Sequence, residues 1–142
     1  MKRIIFGISL IVFTMGFTGG ASASALEAKV SVSKQMMTVL QGGQVLYRWP
    51  VSTARKGYVT PRGMWKPTRL HRMWHSRKYD NAPMPYSIFY HGGYAIHGTD
   101  AVRSLGRPAS HGCVRLSPVN AKRLYSLVQE VGSANTRIVV TD

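Results

Sequence analysis

The chain has 142 residues, 44% of them hydrophobic, and carries 19 Lys and Arg against five Asp and Glu, for a formal charge of +14. That length supports one hydrophobic core rather than several, and the apolar content excludes general disorder. So basic a surface favours anionic partners such as nucleic acid, anionic lipid or an acidic cell-wall polymer, without choosing among them.

At the N-terminus Lys2 and Arg3 precede an apolar run over 4–17, then Gly19, Gly20 and the small residues 21–25. A positive n-region, an apolar h-region and an A-x-A site read as a secretory signal peptide over 1–25, cleaved after Ala23 or Ala25, with the domain in 26–142. The run is shorter than the ~20 residues that span a bilayer; a retained signal anchor is the alternative. Cys113 is the single cysteine. It can form no internal disulfide, and an odd thiol in an exported chain is either paired between molecules or reactive.

Residues 29–33 alternate, with Val30 and Val32 on one face, and 36–40 form a second extended run before a Gly42-Gly43 turn. Val45, Tyr47, Trp49 and Val51 then recur every second residue, which predicts a hairpin. Pro50 belongs at an edge or strand end. The prolines and glycines of 52–85 predict a loop-rich segment without long regular elements. It holds eight Lys and Arg before Asp80, interleaved with Trp65, Trp74 and Tyr79. This is either a binding loop over a groove or a solvated basic face. His71 and His75 are spaced as helical metal ligands but lack a third partner, so no role is assigned to them. Runs at 86–90 and 94–97 flank His91-Gly92-Gly93 as a hairpin, with His97 at a strand end. Ser117 then caps a helix with Pro118 at its first position. Its apolar face is Ala121, Leu124, Leu127 or Val128, and Val131, and Gly132 closes it. Residues 137–141 form a last strand. The fold class is mainly β with one main helix near 118–131.

The chemistry concentrates in HGTDAVRSLGRPASHGCVRL, residues 97–116. A thiol needs a base to become a nucleophile, and acyl transfer needs N–H groups aimed at the developing oxyanion. Ser110-His111-Gly112-Cys113 offers both, since Gly112 permits a tight backbone with converging amides. Cysteine-dependent acyl transfer is therefore expected. Against it stand a structural cysteine beside a solvated histidine, and a metal site of His91, His97, His111 and Cys113. The latter lacks CxxC or HExxH spacing. A papain-like signature is missing as well.

IHGT followed by SHGCVRL, with WPVSTARKGYVTPRGMW and MPYSIFYHGGYAIHG upstream, resembles the L,D-transpeptidase (YkuD) family over nearly the whole chain after residue 26. The resemblance implies a β-sandwich or barrel-like fold. It implies that Cys113 attacks the carbonyl between meso-diaminopimelate and D-alanine in a peptidoglycan stem, and that His97 is the general base. In the family a backbone carbonyl after this histidine orients the imidazole; here it would be that of Gly98, with Asp100 as a substitute. The backbone of His111, Gly112 and Cys113 would shape the oxyanion hole, with the His111 side chain orienting substrate or, alternatively, only building the turn. Arg115 would hold a substrate carboxylate. Gly98, Ser110, Tyr86 and Met84 would adjoin the substrate, with a turn role for Ser110 and core packing for Tyr86 and Met84 as their alternatives. The acceptor would be an amine of a second stem or a wall-bound lipoprotein, or water in a carboxypeptidase or hydrolase. A monomer in the periplasm or wall space of a bacterium is expected, without cofactor, metal or nucleic acid, and open to acylation by carbapenems. The rival outside enzymology is a cationic protein that binds wall polymer or nucleic acid through a degenerate site.

Overall fold

A computed structural model describes residues 25–142, so the expected leader and its cleavage point lie, but for Ala25, outside the described residues. Among the described residues nine strands form two sheets with one α-helix. The first sheet runs β3-β2-β1-β9-β4, built from β1 Leu26–Ser31, β2 Met36–Gln41, β3 Gln44–Pro50, β4 Gly63–Trp65 and β9 Thr136–Thr141. The second runs β5-β6-β7-β8, from β5 Arg69–Ser76, β6 Ala82–His91, β7 Tyr94–Gly98 and β8 Val114–Leu116.

The alternation in the sequence becomes two inner faces. Leu26, Ala28 and Val30 of β1, Met37 and Val39 of β2, and Ile138 and Val140 of β9 point to a core shared with Ile88, Ile96, Val114 and Leu116 of the second sheet. The helix α1, Pro118–Val131, adds Ala121, Leu124 and Val128 to the same core. Its start is fixed as the sequence suggests: the Asn120 N–H donates to Ser117 Oγ at 3.2 Å, and Pro118 takes the first turn. α1 packs on β6 and β7, the strands that carry the site.

Three expectations shift. The first strand begins at Leu26 and ends at Ser31, where Ser31 to Lys34 turn back, so Val32 lies beyond it. β5 has eight residues and β6 ten, inside or continuing a stretch read as lacking long elements. Pro83 and Pro85 pair with His75 and Met73, along a part of β6 that is joined to β7 only from Ile88 onward. Their missing N–H groups face the unpaired side of a two-stranded ribbon, where a proline costs no ladder bond. His71 and His75 consequently sit on a strand, not a helix. Pro50 ends β3, the edge strand of the first sheet, as read.

Candidate active site

The second sheet aligns the reactive groups. Ile96 pairs with Val114 and His97 with Arg115 in the parallel β7–β8 ladder, so Cys113, one residue before β8, continues the ladder beside Ala95. His97 and Cys113 both line a groove of about 1150 Å³. His97 is only 6% exposed. Its Nδ1–H donates to the Gly98 carbonyl at 2.7 Å, because a carbonyl can only accept, and this leaves Nε2 as the basic nitrogen. Asp100 lines the groove but makes no hydrogen bond to the imidazole, so the orienting role falls to Gly98.

Burial holds the His97 pKa down at about 4, against the pull of the Gly98 carbonyl, and the Arg115 charge lowers it further. Burial also pushes the Cys113 thiol up, opposed by the Ala95 backbone and by Arg115. The resting pair near neutral pH is therefore a neutral thiol and a neutral imidazole, not an ion pair. Cys113 is half-buried against Met84, Phe89 and Ala95.

The turn that presents Cys113 is knotted from within. Ser110 is 0% exposed. Its Oγ accepts from the Gly112 N–H at 3.0 Å and donates to the Cys113 carbonyl at 2.7 Å. The hydroxyl is thus consumed by the turn and is not free for substrate. The same bond takes the Gly112 amide out of the oxyanion hole expected for it, leaving those of His111 and Cys113. Gly112 is required for shape: φ is +135°, and a Cβ would lie 2.6 Å from Tyr94 Cε1 and 2.8 Å from the Val59 carbonyl oxygen. Thr60 Oγ1 donates to the Gly112 carbonyl at 2.9 Å and accepts from the Ala54 N–H, bracing the turn from the 52–60 segment. No local pattern in the sequence singles out Thr60.

His111 sits apart from this pair. Its ring stacks on Tyr79 at 4.0 Å, meets Tyr58 edge-on, and its Nε2 accepts from Arg55 Nη2 at 2.8 Å. Shielding from water, then the cations Arg55, Arg115 and Lys78, lower its pKa. The imidazole joins the 52–60 segment to the β5–β6 tip over the turn that presents Cys113. Tyr79 and Arg55 were visible in the sequence only as part of a basic, aromatic stretch.

Among the other expected residues, Arg115 lines the groove half-buried, and among the described residues no carboxylate pairs with it. Met84 is on the groove wall. Tyr86 is not: with φ +54° it turns into the core against Tyr125, 5.7 Å between rings. Gly98 is also withdrawn from substrate, since a Cβ there would meet Pro85 at 3.1 Å, Pro118 at 3.2 Å and Ala121 at 3.4 Å. Both were expected beside the substrate; Tyr86 is a packing residue and Gly98 a positioning one. Among the described residues no three His, Cys, Asp or Glu side chains gather as a metal site would need.

Comparison with known proteins matches residues 27–140 to the L,D-transpeptidase catalytic domain, YkuD. No curated protein matches the sequence. Among solved structures, an L,D-transpeptidase from Mycobacterium smegmatis is similar at TM-score 0.73 and 24% identity, covering 84% of this chain and 59% of that one. One from Stackebrandtia nassauensis gives TM-score 0.73 at 26% identity, covering 89% and 60%. A fragment from Xylanimonas cellulosilytica gives 0.70 at 26%, covering 86% and 63%. The chain spans about three fifths of the length of the structures it matches.

Proposed function

This chain belongs to the L,D-transpeptidase (YkuD) family, and we propose that its groove transfers the acyl group of a peptidoglycan tetrapeptide from D-alanine to an amine. Cys113 Sγ attacks the diaminopimelate carbonyl as His97 Nε2 takes the thiol proton. The His111 and Cys113 amides receive the oxyanion. On collapse the C–N bond breaks, His97 returns the proton to the departing amine of D-alanine, and a thioester remains. An acceptor amine then attacks, His97 takes its proton, and the sulfur leaves to recover that proton.

The neutral resting pair suits this sequence. Thiol and imidazole exchange their proton only as the carbonyl is attacked. A histidinium whose folded pKa is about 4 is a strong acid for the leaving amine. On this reading Arg115, in register with His97, holds the carboxylate beside that amine. The observation that carries the reading is the Gly98 carbonyl locking the His97 tautomer on the floor of the groove that also presents Cys113.

A second stem is the preferred acceptor, with a wall-bound lipoprotein and water as the other candidates. The basic leader-like N-terminus and the single cysteine support export to a bacterial periplasm or wall, where the +14 charge favours retention on anionic polymer. The test is mass spectrometry of the mature protein with disaccharide-tetrapeptide, beside Cys113→Ala. Loss of D-alanine with a dimer joined through two diaminopimelates, absent in the variant, is expected. Tripeptide alone would assign water as acceptor. No turnover with Cys113 intact would leave the cationic binding protein as the better account.

A further inference from the structure

One row of the second sheet carries a charge that the steps above leave unused. Arg69 pairs with Phe89 and Phe89 with Ala95, and Cys113 continues the row beyond Ala95. Three strand spacings of about 4.8 Å therefore separate the Arg69 and Cys113 backbones, roughly 14 Å. The Arg69 guanidinium lies over the Phe89 ring at 4.1 Å and beside Trp74 at 5.3 Å. Phe89, Trp74 and Cys113 share one apolar cluster, and all three line the groove with Arg69. Among the described residues Arg69 has no carboxylate partner. A guanidinium held against two rings that stand 78° apart is restrained on both sides and gives up less side-chain freedom on binding. This is a prepared anion-binding group at the far end of the groove.

On the reading above Arg115, on β8 beside His97, takes the carboxylate of the leaving D-alanine; Arg69, on β5, lies at the opposite edge of the same sheet. The geometry points to Arg69 as a specificity residue that binds a free carboxylate on the acyl side of the donor stem. This rests on the transpeptidase reading above. Two carboxylates of the stem have this chemistry: the one at the distal end of diaminopimelate and the one on the D-glutamyl residue before it. Both lie within two extended residues of the scissile carbonyl, about 7 Å, and the long arginine side chain covers the remainder. A stem amidated at the relevant carboxylate loses the charged partner and becomes a poor donor.

The experiment follows thioester formation on the full mature chain by intact-mass spectrometry, using three tetrapeptide donors: unmodified, amidated at the distal diaminopimelate carboxylate, and amidated at the D-glutamyl carboxylate. One amidation is expected to slow acylation of the wild type about tenfold, the loss of one charged hydrogen-bonded partner at a partly exposed site, and the arm that slows it identifies the carboxylate. Arg69→Gln is expected to treat all donors alike, while Arg69→Lys, which keeps charge without the planar fork, discriminates less than wild type. Arg69 is exposed, and unchanged thermal unfolding of both variants checks the fold. Equal wild-type rates on all three donors, or undiminished discrimination in Arg69→Gln, would overturn the assignment and leave the transpeptidase reading standing. No thioester from any donor, with Cys113 intact, would overturn both.

Discussion

Lowering the pH should destabilise this protein through one buried imidazole. An ordinary histidine titrates at 6.5, whereas burial places folded His97 at about 4. Above pH 6.5 neither the folded nor the unfolded state holds the proton, and His97 has no effect. As pH falls below 6.5 the unfolded chain takes up a proton that the folded protein refuses, so stability drops with each step down. The loss ends near pH 4, where the folded state is protonated too. Two and a half pH units at about 1.36 kcal/mol each give a ceiling of about 3 kcal/mol. Little discounting for solvent applies, since the side chain is 6% exposed. The assay is urea unfolding of wild type and His97→Asn from pH 7.5 to 4. The asparagine amide nitrogen stands where Nδ1 does and keeps a donor for the Gly98 carbonyl but removes the titration. The variant's curve should be flatter over this window by about 3 kcal/mol. Parallel curves would refute the reasoning, because they would trace the acid sensitivity to other groups.

The same depressed basicity should appear in catalysis, where the acid limb of kcat/KM is expected near pH 4, well below the ordinary imidazole range, in a pH–rate profile with tetrapeptide. Iodoacetamide should label Cys113 slowly at pH 7.5, with a rate that climbs only above the ordinary thiol range; fast neutral labelling would contradict a buried neutral thiol. Gly112→Ala forces a Cβ against Tyr94 and the Val59 carbonyl at φ +135°, and should cost about 3 kcal/mol in thermal or urea unfolding. Ser110→Ala strips partners from a buried amide and carbonyl; a loss of about 2 kcal/mol is expected, with a larger fall in acylation rate than in donor binding.

Where structure follows from local chemistry, the sequence was readable. Ser117, Pro118 and Gly132 mark the ends of α1, and the paired glycines at 42–43 and 92–93 mark two hairpin turns. The tight turn before β8 was readable too, because Ser110, His111, Gly112 and Cys113 are contiguous. β5 and the start of β6 were hidden because proline is a strand breaker only where its nitrogen faces a partner, and that depends on which strand lies alongside. The placements of Tyr86 and Gly98 were hidden for a related reason. A positive φ at a tyrosine and the approach of Pro118 to a strand glycine are set by elements twenty or more residues away. His111 looked catalytic from its position in the motif, yet Arg55 and Tyr79, each more than thirty residues distant in the chain, occupy its nitrogen and its face.

The position of β9 has a kinetic consequence. This strand runs parallel to β1 and antiparallel to β4, joining them within the first sheet. A chain emerging from its N-terminus has β1, β2 and β3 early, but β1 lacks one neighbour and β4 lacks its pairing strand until residues 136–141 arrive. Pairing across some 110 residues carries a large loop-closure entropy and slows folding. The two sheets therefore cannot close over their shared core until residues 136–141 are available, and β1 and β4 each keep an unpaired edge until then.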